Sequence, residues 1–226
     1  MTLSEILKKI HLLYEGDIDY PAEGSEDYEL RKGLVNAAID VWEQENVRWR
    51  ELFKNLSDAT DGDKTATSST TTYSVPSDYR FISSFLYIQD ANGNKTYYVY
   101  KRPDDVIKID KLNSSSKFFY ETGGGLSKKI NIVNPVNGTI HYSYYKKAKK
   151  LSNPNDVAEM LNPDFVVYWV LAQLYEQDLR NDKVAQYQAL AKQALDYMII
   201  ENETKPFNQS YNLAELDYED GFVFGR

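Results

Sequence analysis

Apolar side chains recur at helical spacing to about Leu56, alternate from Thr71 to Lys146, and return to helical spacing after Leu151. No other feature narrows the fold as much. A 3.6-residue repeat lines one stripe of a helix, a two-residue repeat lines one face of a strand, and neither suits the other element. The chain therefore reads as α+β: a helical core (a long helix plus a C-terminal helical hairpin) with an inserted antiparallel β region, a small sandwich or open barrel, and an extended C-terminal tail. The segments are 1–63 for the N-terminal helices, 64–150 for the β insert, 151–204 for the hairpin and 205–226 for the tail.

Charge breaks where the period breaks. Residues 1–63 carry 15 acids and 7 bases, a net of −8, whereas residues 64–150 carry 6 acids and 14 bases, a net of +8. Residues 151–200 and 201–226 are each −4. A basic middle between acidic flanks supplies two unlike faces. Cysteine is absent, which excludes disulfides, thiolate metal sites and cysteine nucleophiles. The 19 tyrosines suit interfaces as well as cores, since Tyr offers a large contact area and a hydroxyl that tolerates water.

Within the first arm, Leu3, Ile6, Ile10 and Leu13 form one stripe, and Thr2 with Glu5 fits a capping box. A second helix is expected from Ser25 to about Leu56, with Leu30, Leu34, Ala37, Val41, Trp49, Leu52 and Leu56 on one side. Residues 57–72 are polar and read as a linker. Strands are expected at 71–75, 81–89, 96–101, 106–110, 117–121, 129–133 and 139–146. The turn residues Asn134-Pro135-Val136-Asn137-Gly138 predict a hairpin joining Lys129–Val133 to Thr139–Lys146. Asn162 as N-cap and Pro163 at the first helical position open a helix to about Leu179. The next helix runs from Lys183 to about Ile200, with Val184, Tyr187, Ala191, Ala194 and Met198 as its stripe. Residues 165–172 are apolar nearly all round, so the first of these two helices should be the most buried.

Met1 to Tyr14 lacks the apolar block and small-residue cleavage site of a signal peptide. The longest apolar run, Phe165 to Leu174, is broken by Gln173 and falls short of the ~20 residues that cross a bilayer. A soluble protein made in a reducing cytoplasm is expected, with no membrane partner.

Chemistry-bearing patterns are sparse. His11 sits on the first helix, and His141 alternates with Tyr142 and Tyr144 as an ordinary strand residue. No HExxH pair or clustered His/Asp/Glu spacing offers a metal site, and no cofactor is expected. Gly123-Gly124-Gly125-Leu126-Ser127-Lys128 lacks phosphate-loop spacing and precedes a strand, so it reads as a turn. Asp104-Asp105 and Asp217, Glu219 and Asp220 read as solvated acids, and no GxSxG nucleophile motif occurs. Lys146, Lys147, Lys149 and Lys150 form a basic edge that invites a subunit or DNA contact, against a salt-bridged or solvated edge that discourages strand aggregation. The tail holds Tyr211, Leu213, Leu216, Tyr218, Phe222 and Phe224 amid acids without a regular period. Such a segment either docks on another chain or straps its own surface.

Three local patterns resemble the head-to-tail adaptor proteins of short-tailed bacteriophages. Tyr73-Ser74-Val75-Pro76-Ser77-Asp78-Tyr79-Arg80-Phe81-Ile82 is similar to the strand, turn and strand that open that family's inserted sheet. Lys129 to Gly138, then Ile140-His141-Tyr142-Ser143-Tyr144-Tyr145-Lys146, resembles its hairpin ending in a tyrosine-rich strand and basic residues. Leu151, the Asp156–Leu161 stretch and Asn162-Pro163-Asp164 resemble its return to the helical core. Together these span most of residues 25–202, while the linker and aromatic tail are less typical.

The resemblance implies a non-enzymatic virion protein, made in the host cytoplasm, that forms a ring of typically twelve copies in the neck. Its partners would be other copies of itself, the portal protein above, and the next tail or nozzle component below. Genomic DNA would pass through the lumen without sequence-specific binding. The competing reading is a helical scaffold or carbohydrate- or ligand-binding module with exposed tyrosines, against which no 34-residue repeat recurs.

Overall fold

Thr2 and Glu5 cap each other at the start of α1 (Leu3–Glu15). The Glu5 N–H donates to Thr2 Oγ1 at 3.2 Å, and the Thr2 N–H donates to Glu5 Oε2 at 2.8 Å. This satisfies two backbone donors at the helix start. The computed structural model describes residues 1–17, 20–83, 85–107, 115–124 and 127–203. The α1 helix buries Leu3, Ile6, Leu7 and Ile10, while Leu13 from the expected stripe is half exposed.

The second helix is shorter than expected. It spans Glu26–Gln44 as α2, starting on Ser25, whose hydroxyl accepts the Tyr28 N–H. The backbone leaves the helix at Glu45, and Trp49 folds back: its Nε1 donates to Trp42 O at 2.8 Å and the two indoles stack at 5.3 Å. Burying two indoles together outweighs a few more turns of helix. The buried face also differs from the expected stripe, being Tyr28, Arg31, Val35, Ala38, Ile39 and Trp42. Leu30 is exposed, and Leu34 and Val41 only flank the core.

The hairpin follows expectation. Asn162 Oδ1 accepts the Asp164 N–H at 3.2 Å at the start of α4 (Asp164–Gln177). That helix buries Phe165, Val166, Val167, Val170, Leu171, Ala172, Leu174 and Tyr175, sealed by α5 (Asn181–Glu203) through Tyr187, Ala191, Ala194 and Met198. Helices α1, α2, α4 and α5 share one hydrophobic core.

The β insert holds a second core. A seven-stranded sheet has the order β2-β9-β5-β6-β7-β8-β3, formed by β2 (Thr65–Ala66), β3 (Thr72–Ser74), β5 (Leu86–Gln89), β6 (Lys95–Tyr100), β7 (Phe118–Thr122), β8 (Lys129–Ile132) and β9 (Gly138–His141). Its outer strands β2 and β3 are neighbours in the chain, so the sheet curls until its edges are bridged by residues 67–71. Tyr73 fastens that bridge by donating its hydroxyl to the Thr67 and Thr70 carbonyls. Curling covers edges that would otherwise invite pairing with another chain. Leu86, Ile88, Tyr98, Phe119, Ile130, Ile132, Ile140 and Tyr142 fill the interior.

Three strand expectations are corrected. Residues 106–107 lie in the short helix α3 (Pro103–Ile107), and 108–110 fall outside the described residues. Pro103 is suited to a first helical position, and Asp104 and Asp105 suit a first turn. After α3 the chain re-enters the sheet as β7 running parallel to β6, the one parallel pair among antiparallel neighbours in the described residues. Finally, β8 and β9 follow each other but do not pair. The supposed linker contributes β2, and with β3, the strand expected at 71–75, it takes the places beside β9 and β8. Asn134, at φ 52°, holds the turn between them open, its carbonyl accepting Lys117 Nζ at 2.6 Å and Tyr98 OH at 3.2 Å.

A three-stranded sheet, β1-β10-β4, joins the two bodies: β1 (Phe53–Asn55), β10 (Ser143–Lys146) and β4 (Tyr79–Ile82). The expected strand 139–146 breaks at Tyr142, so β9 serves the barrel and β10 this joint, and 81–89 is likewise split into β4 and β5. Leu52 is buried in the helical core and Leu56 in the barrel core, four residues apart on what was expected to be one helix.

Candidate assembly surfaces and the joint that orients them

The joint is built from the basic run. Lys146 pairs with Glu159, Lys149 with Asp156 at 2.7 Å, and Lys150 with Asp40. Lys147 makes no ion pair among the described residues, but its N–H donates to Asp78 O at 2.6 Å. Glu43 on α2 accepts the Ala148 N–H at 2.9 Å and faces Arg80 of β4 at 3.6 Å. Asn36 closes the clamp: its amide donates to Leu151 O at 3.0 Å and its Oδ1 accepts the Leu151 N–H at 2.8 Å. A buried backbone group left unpaired is costly, so these reciprocal bonds fix where the barrel stands on the helices. Hydrogen bonds from Lys149 and from the Asn153 and Ser152 N–H groups hold the Asp156 carboxyl well below the usual carboxylate range.

Beneath the joint lies a tyrosine network. Tyr144 OH donates to Asp78 at 2.8 Å, and Lys54 reaches the other oxygen at 2.9 Å. Tyr79 donates to Glu121, which Lys128 faces at 3.8 Å. Burial pushes both phenols far up, and the adjacent carboxylates add to it. Burial also lifts the Asp78 carboxyl, but the bonds from Lys54 and Tyr144 outweigh it and leave it below its ordinary value. The phenols are thus held as donors and the acids as acceptors.

On the outside of the barrel, Phe85, Tyr87 and His141 line an open cleft of about 370 Å³, bordered by Asn55, Ser57 and Ser143, and Tyr97 packs against Phe85 and Tyr87. Tyr87 and His141 stack at 4.7 Å, and Lys95 lies over the Tyr87 ring at 5.2 Å. Burial, then Lys95, lowers the His141 pKa, so the ring stacks as a neutral imidazole. Phe85 is 55 % exposed.

At the far end of the helical body, α4 stops with Leu179 in the left-handed region at φ 57°. The Arg180 N–H bonds to Tyr175 O at 3.0 Å and the Leu179 N–H to Glu176 O at 3.1 Å, a Schellman stop at a position that favours glycine. Leu179 is 84 % exposed. Next to it Tyr14 donates to Asp178 at 2.6 Å, and burial followed by that bond pushes its phenol up to about 12. Arg31, buried, donates to His11 Nδ1 at 2.6 Å and Glu15 at 2.9 Å.

Chain order, the curled insert and the helical return now coincide with a match to the family model described as SU10 adaptor protein, over residues 1–211. The chain belongs to the SU10 adaptor protein family. No curated protein matches it. The three motifs behind the phage-adaptor resemblance fall at positions that organise this adaptor: Tyr73–Ile82 forms β3 and β4, Lys129–Lys146 forms β8 to β10, and Leu151–Asp164 docks on α1 and α2. Among the described residues, no three His, Asp or Glu side chains converge as a metal site would need, and no helix is long and apolar enough to cross a membrane.

The adaptor's sequence-predicted contact residues divide sharply. Lys146, Lys147, Lys149 and Lys150 come together at the joint. Tyr211, Leu213, Leu216, Tyr218, Phe222 and Phe224 lie outside the described residues. Sequence reasoning missed the aromatic cleft and the Asn36 clamp. The cleft draws on three separated stretches of chain, around Asn55, Phe85 and His141, so only Phe85-x-Tyr87 at one strand hinted at it. Asn36 in an apolar helical stretch was the signal for the clamp, since a helix-interior Asn is unfavourable without a tertiary partner.

Proposed function

We propose that this adaptor is the head-to-tail connector of a tailed phage, a structural virion protein whose copies form a ring beneath the portal and join it to the tail. Twelve copies is the number carried over from the resemblance. Family membership over residues 1–211 is the observation that carries the reading. The architecture supports it: a rigid helical body and a barrel of opposite charge, locked at a fixed angle, offer the two unlike faces that a cyclic ring needs. In the ring, the helical body contacts its neighbours, the barrel faces a neighbour or the next tail component, and the segment from Lys205 onward reaches the portal or an adjacent copy. The lumen passes genomic DNA without reading its sequence. Lysines already engaged with acids of their own chain offer phosphates little, which suits a wall that must not hold DNA.

The test is reconstitution with the purified portal, followed by mass photometry and negative-stain imaging. The full chain should decorate the portal with a ring. The adaptor reading fails if saturating chain leaves the portal mass unchanged. A chain ending at residue 204 should fold but lose docking. Unchanged affinity would remove the tail's role and leave the ring in place.

A further inference from the structure

We propose that the aromatic cleft on the barrel is the seat of the chain's own C-terminal segment, residues 204–226, in the unassembled protein. The cleft is a surface in need of cover. Phe85 is exposed, the stacked Tyr87 and His141 line the cleft beside it, and Asn55, Ser57 and Ser143 supply polar groups along its border. Aromatic rings beside amide and hydroxyl groups suit a peptide that carries both aromatic and polar side chains.

Reach singles out the occupant. At the end of α5, Asn202 Oδ1 accepts the Arg50 N–H at 3.0 Å, and the Asn202 amide donates to Arg48 O at 3.0 Å. Asn55 at the cleft border is only five residues beyond Arg50, at most about 18 Å of chain. The segment after Glu203 covers the same distance in about six extended residues, so Tyr211 and everything after it can lie in or across the cleft. No other described part of the chain ends so close with so much length still to run.

Chemistry agrees with reach. The segment carries Tyr211, Leu213, Leu216, Tyr218, Phe222 and Phe224, with Glu215, Asp217, Glu219 and Asp220 between them. The β insert is the basic part of the molecule, and Lys95 stands directly over the cleft's stacked pair. Aromatic side chains meet aromatic faces, and acids meet the basic surround. Tethering makes the contact intramolecular, at an effective concentration on the order of millimolar, so it forms before any encounter between copies. Only the release of the strap rests on the adaptor reading: docking on the portal or a neighbour displaces the segment and exposes the cleft.

The absence of native cysteine makes the test direct. The full chain is prepared with Ser57→Cys at the cleft and, in turn, Ala214→Cys or Gly221→Cys in the segment. Control chains carry the same segment cysteines with Lys192→Cys, on the exposed face of α5. Under mild oxidation the Ser57 pairs should give a looped monomer on a non-reducing gel, in clear excess over the Lys192 pairs. Adding Phe85→Ser and Tyr87→Ser should lower that yield about tenfold, as expected when aromatic anchors of a small contact are removed. Equal yields from the Ser57 and Lys192 pairs would overturn the proposal. Covalent dimers in place of looped monomers would also overturn it, by placing the segment on another copy. Portal binding by the unmodified chain is scored separately, so loss of the strap and loss of the adaptor role give different results.

Discussion

Asn36→Ala sets two effects of opposite sign against each other on one helix. Alanine is the better helix former, and the exchange alone would add about 0.5 kcal/mol. Against it stand both backbone groups of Leu151, a residue with 0 % exposure, which lose their partners at 2.8 and 3.0 Å. Each orphaned group costs about 1–3 kcal/mol when water cannot replace the partner. Asn36 is half buried, so some water enters and the lower part of that range applies. The balance is a net loss of about 2 kcal/mol, or roughly 1 M in urea midpoint for a typical slope. Gly33→Ala, three residues earlier, is the internal control. It is exposed with open space around a new Cβ, so it should gain about 0.5–1 kcal/mol. Urea titrations followed by tryptophan fluorescence report the helical body, since Trp42, Trp49 and Trp169 all pack there. Near-ultraviolet dichroism of the tyrosine-rich barrel reports the other core. If Asn36→Ala is neutral or stabilising while Gly33→Ala behaves as stated, the clamp does not hold the joint.

Leu179→Gly should raise stability by about 0.5–1 kcal/mol, because glycine meets no penalty in the left-handed region and Leu179 buries almost nothing; a calorimetric melting temperature checks it. Tyr144→Phe and Asp78→Ala should each destabilise by about 1–2 kcal/mol and be non-additive in a double-mutant cycle, since both remove the Tyr144–Asp78 bond. The depressed Asp156 and Asp78 carboxyls contribute stability that is complete above their unfolded pKa and is lost as pH falls below about 4. Asp156→Asn should therefore flatten the acid limb of a stability–pH curve and change nothing in its shape above pH 5. Tyrosinate absorbance should show the opposite window. The raised Tyr79, Tyr142 and Tyr144 phenols stay protonated as pH climbs past about 10 and ionise only as the chain unfolds, while exposed tyrosines titrate normally.

Local patterns were legible wherever one side chain and its near neighbours decide the outcome. The Thr2–Glu5 box, the Asn162 start of α4 and the buried faces of α4 and α5 rest on bonds or contacts within a few residues, and they stand where the spacing puts them. The end of α2 was misread because Leu52 and Leu56 keep helical spacing while packing into different cores. What stops the helix is Trp49 returning to Trp42. The hairpin at Asn134–Gly138 was misread for a related reason: its turn residues are favourable, but β2 and β3 take the places beside its arms. The basic run was open to a phosphate-facing or a salt-bridged reading, and only the fold supplied its acids, from α2 and from the loop before α4.

By itself the sequence determined the class of fold, the order of its parts, the segregation of charge and the family's motifs, because periodicity, caps and composition are local properties of a chain. Only the tertiary structure decided which strand lies beside which, where the lysines spend their charge, and that Phe85, Tyr87 and His141 share one cleft. Those depend on pairings between residues as far as 155 positions apart, and a linear pattern carries no information on which of several equally favourable partners arrives first and fills the space.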